Sequence, residues 1–194
     1  MNTVFEQLLY TTVRIECKNN EGNITSIGTG FLLSRPIGEN NYKLYLVSNK
    51  HVLMGTPNIA ISFTYKENGK PKHGRKQEFN IQGVDQIVKG HPNPDVDIAV
   101  MDCTRIFIAM EDKLYYRYVD YSMLAEFNEP ELSVAENVYF VGYPDGRYDM
   151  SNNLPLIRTG MIASHPQYDF NGKPEFVIDA QVFPGSSGSP VYID

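Results

Sequence analysis

Along this chain apolar and polar positions alternate over short runs, and turn residues break the runs. The segments "TVRIEC", "GTGFLLS", "YKLYLVSN", "IAISFTY", "QEFNIQ", "DIAVMDC", "VYFVGY", "LPLIRTGMIAS", "EFVIDAQV" and "SPVYI" each read as a strand. Val, Ile, Tyr and Phe dominate them, which suits a pleated, half-buried surface. Gly, Pro, Asn and Asp fill the gaps, as at "NNEGN", "KENGKPK" and "PDGRYD". Many short strands in succession predict an all-β sandwich or barrel rather than a βαβ fold. Helical periodicity is scarce. "NTVFEQLL" predicts a short N-terminal helix capped by Asn2, with Val4, Leu8 and Leu9 as its apolar positions. The aromatic stretch "TRIFIAMEDKLYYRYVDYSMLAEF" is less regular. It predicts a link over residues 106–126 between halves at 1–105 and 127–194, with a helical turn near "SMLAEF".

Composition narrows the class. With 194 residues and 42% hydrophobic content, the chain can bury a core as one domain or two small fused ones. A net charge of −6 argues against a nucleic-acid partner, which calls for a basic excess or stripe. The one dense basic run, Lys66 to Lys76, is broken by Gly and Pro and reads as a solvated loop, with an acidic partner as the alternative. Cys17 and Cys103 lie in apolar, strand-like settings and read as buried free thiols, a single disulfide being the alternative. Neither a signal-peptide pattern nor an apolar run of about twenty residues is present, so the expectation is a cytoplasmic protein with no membrane span.

The chemistry concentrates near the end of the chain, at "PGSSGSP", Pro184 to Pro190. A serine hydroxyl is a weak nucleophile until a base takes its proton and donors await the oxyanion. Glycines beside it let the backbone turn sharply and aim N–H groups inward. The alternative is a plain Gly/Ser turn between two strands. Among the four histidines, His73, His91 and His165 fall in loops, whereas His51 stands where "YKLYLVSNKHV" leaves a strand. Of Asp95, Asp97 and Asp102 in "NPDVDIAVMD", Asp97 directly precedes an apolar run, where it can be drawn into the protein and needs a hydrogen-bonded partner. Asp95 is the fallback.

The order His51, Asp97, Ser187 is one of the three known chain orders of the serine triad. With "GTGFLLS", "YLVSNKHV", "DVDIAVM", "ENVYFVGYP", "IRTGMIAS" and "GSSGSPV" in sequence, the chain from Thr12 to Val191 resembles a trypsin-like serine peptidase of the chymotrypsin fold, nearer to the HtrA-like bacterial and viral branches. The resemblance implies two packed Greek-key β-barrels, the first carrying His51 and Asp97 and the second Ser187. It implies a serine endopeptidase with peptide or protein substrates and no cofactor or metal. His51 would be the general base, Asp97 its orienter and Ser187 the nucleophile, with Ser186 and Ser189 as the neighbouring candidates. The backbone N–H groups of Gly185 and Ser187 would form the oxyanion hole. Gln181, Val182 and His165 are the candidates for the substrate pocket. The family normally has several more strands after its nucleophile, and here seven residues follow Ser187. The second barrel is therefore open to being incomplete, with a partner chain or a dimer supplying the sheet edge, and a non-hydrolytic peptide-binding module is the second class of function.

Overall fold

The computed structural model describes residues 3–39, 41–130 and 132–193. The chain opens with helix α1 (Val4–Leu8) and strands β1 (Thr12–Lys18), β2 (Ile24–Pro36) and β3 (Tyr42–Ser48). Helix α2 (Lys50–Leu53), β4 (Asn58–Glu67), β5 (Lys70–Gln82), α3 (Val84–Ile87), β6 (Val88–Gly90) and β7 (Ala99–Asp102) follow. Next come α4 (Thr104–Ala109), β8 (Leu114–Tyr115) and β9 (Val119–Asp120), then β10 (Asn137–Gly142), β11 (Leu156–Ile162), β12 (Ile178–Asp179) and β13 (Val191–Tyr192). The fold is the all-β, chymotrypsin-like one, with its strands in two sheets. The first runs β5-β4-β1-β2-β3-β7-β6, with β8 added on β4 and β9 on β2; the second runs β12-β11-β10-β13.

Alternation explains the first sheet. In β1, Val13, Ile15 and Cys17 point inward at 0–2% exposure while Arg14, Glu16 and Lys18 between and after them are half-buried. Leu32, Leu44, Leu46, Ile59, Ile61 and Met101 meet them from the adjoining strands. Each such side chain, fully buried, contributes about 1.5–3 kcal/mol. Phe107 of α4 closes one side of this core, edge-on to Phe63 with ring centroids 5.1 Å apart. The second sheet has a smaller core of Leu132, Val138 and Ile162, with Phe176, Ile178 and Ile193 packed against it. Cys17 and Cys103 are buried and free. Among the described residues no helix is long and apolar enough to cross a membrane.

Several local expectations are corrected. Thr3 caps α1, in a reciprocal capping box with Glu6; Asn2, the expected cap, lies outside the described residues. The basic run Lys66 to Lys76 is mostly hairpin rather than loop. β4 and β5 pair through it across a turn at Asn68 and Gly69, whose positive φ angles of 51° and 75° match the right-handed strand twist. Lys66 donates to Glu111 O, Lys72 pairs with Glu67, and Arg75 lies over the Tyr65 ring. The stretch 106–126, read as a link, carries structure of its own. Its strands β8 and β9 both join the first sheet, and the expected helical turn is a 3₁₀ turn at Tyr121–Met123, capped by the Asp120 side chain. "EFVIDAQV" and "SPVYI" shrink to the two-residue ladders β12 and β13, because each finds a partner over only two positions.

Candidate active site

The register of the first sheet brings His51 and Asp97 together. Ser48, the last residue of β3, pairs with Ala99, the first of β7. Continuing past that pair, the antiparallel strands set residues 49–51 against Asp97. The single turn of α2 then buries Val52 and Leu53 and turns Lys50 and His51 outward. Four contacts fix the pair. The Asp97 carbonyl accepts from Asn49 Nδ2 at 2.7 Å and from Lys50 N at 3.4 Å. One carboxylate oxygen accepts from the His51 backbone N–H at 3.1 Å, and the other lies 2.5 Å from His51 Nδ1. Partial burial pushes the Asp97 carboxyl up, but the hydrogen bonds from the His51 ring and backbone outweigh it and hold the group below the usual carboxylate range. An ionised carboxylate can only accept, so Nδ1 donates and Nε2 is left as the basic nitrogen.

Asp97 was expected to be drawn inward, and it is not. Its side chain is 48% exposed and that of His51 59%. The carboxylate is held at the rim by hydrogen bonds and not by burial. The fallback, Asp95, makes a turn in which its N–H donates to Asn93 Oδ1. It does not touch His51.

The three serines of the Gly/Ser turn occupy different environments. Ser186 is buried, and its Oγ accepts from Arg158 Nη2 at 2.9 Å. The Oγ of Ser189 is buried with no partner. Ser187 is half-buried, and among the described residues its Oγ makes no hydrogen bond. It is the one hydroxyl both reachable and uncommitted. Among the described residues it makes no hydrogen bond to His51 either.

The backbone of the turn presents two free donors. Pro184 O accepts from Asp145 N at 2.5 Å, and Ser186 O accepts from Ser189 N at 3.0 Å. No peptide among the described residues is cis. In a trans peptide the N–H points opposite its C=O. The N–H groups of Gly185 and Ser187 are therefore aimed away from these anchors, and neither has an acceptor among the described residues. Gly185 and Gly188 adopt φ of +88° and +85°, and a Cβ on either would overlap a backbone carbonyl, Tyr143 O or Thr29 O. Only glycine fits both places.

Thr29 was missed in the sequence, although "GTG" flanks it with glycines. It is fully buried and joins the halves. Its N–H donates to Ser187 O at 2.8 Å and its Oγ1 to Gly185 O at 2.7 Å. Oγ1 also accepts from Tyr143 N at 3.1 Å, and Thr29 O accepts from Ser48 Oγ at 2.6 Å. Ser48 stands three residues before His51, so one threonine ties the strand bearing the histidine to the turn bearing the serine.

The pocket candidates are less organised. Gln181 and Val182 are exposed, and the Gln181 carbonyl accepts from Arg158 Nη1 at 3.1 Å. His165 is exposed in a turn, stacked on Tyr168 at 4.3 Å, with Nδ1 accepting from Gln167 N. Among the described residues it makes no hydrogen bond or ring contact with the other candidates. An apolar cavity of about 410 Å³ lies beside the site, lined by Asn49, Ile98, Met123, Leu124 and the segment 188–193. Among the described residues no cluster of three or more His, Cys, Asp or Glu is placed to hold a metal ion.

Comparison with known proteins agrees with this architecture. No curated protein matches the sequence significantly. Among solved structures, the MamO protease domain from Magnetospirillum magneticum, in its apo form, superposes with a TM-score of 0.54 at 15% identity, covering 98% of this chain and 82% of that one. The Rv3671c protease from M. tuberculosis, in its active form, gives 0.52 at 22% identity, covering 100% and 69%. An inactive form of Rv3671c gives 0.51 at 21% identity, covering 98% and 72%. At these identities the likeness speaks for the fold. The family model of the trypsin-like peptidase domain matches residues 28–194, which include the His51 turn, Asp97 and the Gly/Ser turn, and the chain therefore belongs to that family.

Proposed function

We propose that the protein is a serine endopeptidase whose triad is His51, Asp97 and Ser187. One observation carries the reading: the Asp97 carboxylate grips both the ring Nδ1 and the backbone N–H of His51, a hold that fixes tautomer and orientation together. The two free N–H groups of the Gly/Ser turn support it as an oxyanion hole. In the reaction Nε2 takes the Ser187 proton as Oγ attacks the substrate carbonyl. Gly185 and Ser187 hold the oxygen as it becomes negative. His51 then gives the proton to the leaving amine, and a water repeats the sequence on the acyl-enzyme. Catalytic hydrogen bonds that are loose in a free enzyme tighten with substrate, which accounts for the open Ser187–His51 contact.

The exposure of His51 and Asp97 favours a second reading, a peptide-binding module of peptidase fold that does not hydrolyse. A fluorophosphonate probe separates the two. The peptidase is labelled at Ser187, and Ser187→Ala abolishes labelling while the fold stays intact. Labelling that survives Ser187→Ala and is lost in Ser189→Ala overturns the assignment, and no labelling of the wild type favours the binding module.

A further inference from the structure

Arg158 is a cation the triad does not use. It projects from β11 toward the segment leading into the nucleophile turn. Nη1 donates to Gln181 O at 3.1 Å and Nη2 to Ser186 Oγ at 2.9 Å, so one guanidinium spans the two ends of residues 181–186. Its carbon lies 4.4 Å from the centre of the Phe140 ring. Nε is buried and has no acceptor. Among the described residues no carboxylate comes within ion-pair reach of it. Both acceptors it does have are neutral. Burial alone pulls its proton affinity down, with no neighbouring anion to restore it.

A desolvated charge without a counter-ion is an unfavourable arrangement that a bound anion relieves. Arg158 is half-buried and not sealed off, so a ligand against segment 181–186 can approach it. The exposed side chains of that segment, Gln181, Val182 and Phe183, are neutral and supply no competing charge. Resting on the peptidase reading, with Gln181 and Val182 as its substrate-pocket candidates, we infer that Arg158 selects substrates with an acidic side chain on the acyl side of the scissile bond. A carboxylate there gains an attraction that an amide does not, and a lysine meets repulsion. Discrimination then comes from favouring one partner and opposing another. The selectivity was not legible from Gln181 and Val182 themselves, because the charge arrives from another strand.

The inference is tested by binding, independently of turnover. In a Ser187→Ala background, otherwise neutral fluorescent peptides carrying a single central Glu, Gln or Lys are titrated and followed by anisotropy. The Glu peptide is expected to bind about 10-fold tighter than the Gln peptide, a difference of about 1.4 kcal/mol, and the Lys peptide weakest. Arg158→Gln should bring Glu and Gln to equal affinity, and Arg158→Lys should keep part of the preference. If Arg158→Gln loses its fold by circular dichroism, Gln181→Glu with Arg158 intact is the second variant, and it should erase the preference by supplying the missing anion. Equal affinities with Arg158 present, no binding of any peptide, or a Glu preference that survives these changes overturns the inference. Fluorophosphonate labelling of the wild type, run alongside, reports separately on whether Ser187 is a nucleophile.

Discussion

Thr29 Oγ1 donates to the carbonyl of Gly185 across the junction of the two sheets, at 2.7 Å. The same residue's N–H holds the Ser187 carbonyl. Two carbonyls of the Gly/Ser turn, two residues apart, thus dock on one buried threonine, which fixes the backbone on either side of Ser186. Thr29→Val keeps the shape and removes the hydroxyl. It strands Gly185 O and Tyr143 N, which should cost about 1–3 kcal/mol of stability. The larger effect should be on kcat, falling about 10-fold to 100-fold with KM little changed, because small displacements of a nucleophile carry penalties of that size. Thr29→Ser should restore most of it. Equal kcat in Thr29→Val and wild type would show that the hydroxyl only fills space.

Asp97→Asn tests the grip on His51. The amide can no longer accept from Nδ1–H and the backbone N–H with a full charge. It can also offer its own N–H to Nδ1 and so favour the wrong tautomer. Turnover should fall about 10⁴-fold, the size found when the orienting acid of such a triad becomes an amide. A loss of only a few-fold in a steady-state peptide assay would remove Asp97 from the role.

Much of this was legible in the chain. The strand-forming alternation in β1 to β4 is strong because one face of each strand is buried. The order of His51, Asp97 and Ser187 needs no coordinates. What escaped was set by tertiary partners. The lengths of β12 and β13 depend on where an opposite strand ends, and nothing in "EFVIDAQV" encodes that. The exposure of Asp97 depends on what covers the rim, so its apolar neighbour Ile98, itself 47% exposed, was a poor guide to burial. Thr29 and Arg158 act through contacts remote in sequence, and a single polar residue within an apolar strand does not announce its partner. The Asn68-Gly69 hairpin was the avoidable miss, since that dipeptide between two alternating runs is a strong turn signal.

Gly188→Ala should disable the site through the backbone alone. At φ +85° an L side chain is strained, and the added Cβ would overlap both Thr29 O and Ser48 Oγ. The strain is expected to cost about 1–3 kcal/mol or more. Since Thr29 joins the two halves here and Ser48 holds its carbonyl, fluorophosphonate labelling should be lost before the far-UV spectrum changes. Adding Ser48→Ala removes one of the two overlaps and should recover only part of the stability. Wild-type labelling in Gly188→Ala would mean that the turn is free to reshape.

The hydrogen bonds to Asp97 also predict a pH signature of folding. Its carboxyl is held below the usual range in the folded protein, while the unfolded chain titrates near its ordinary value, about 3.9. Between those two values the unfolded state binds the proton more readily, so stability rises with pH across that window. The contribution is fully present above the unfolded value and is lost as pH falls through the folded one. Both side chains are about half exposed, and solvent screening should keep the effect to no more than about 1 kcal/mol. Asp120 and Asp149 are also held low, by hydrogen bonds from Ser122 and Asn152, so the wild-type curve sums several groups. The difference between wild type and Asp97→Asn isolates one of them. Urea midpoints measured from pH 2 to pH 7 should lie closer together at the acid end than at neutral pH, and His51→Ala, which removes the ring donor but leaves the backbone one, should fall between. A gap that is the same at both ends would mean that the Asp97–His51 contact adds nothing to the folded state that depends on charge.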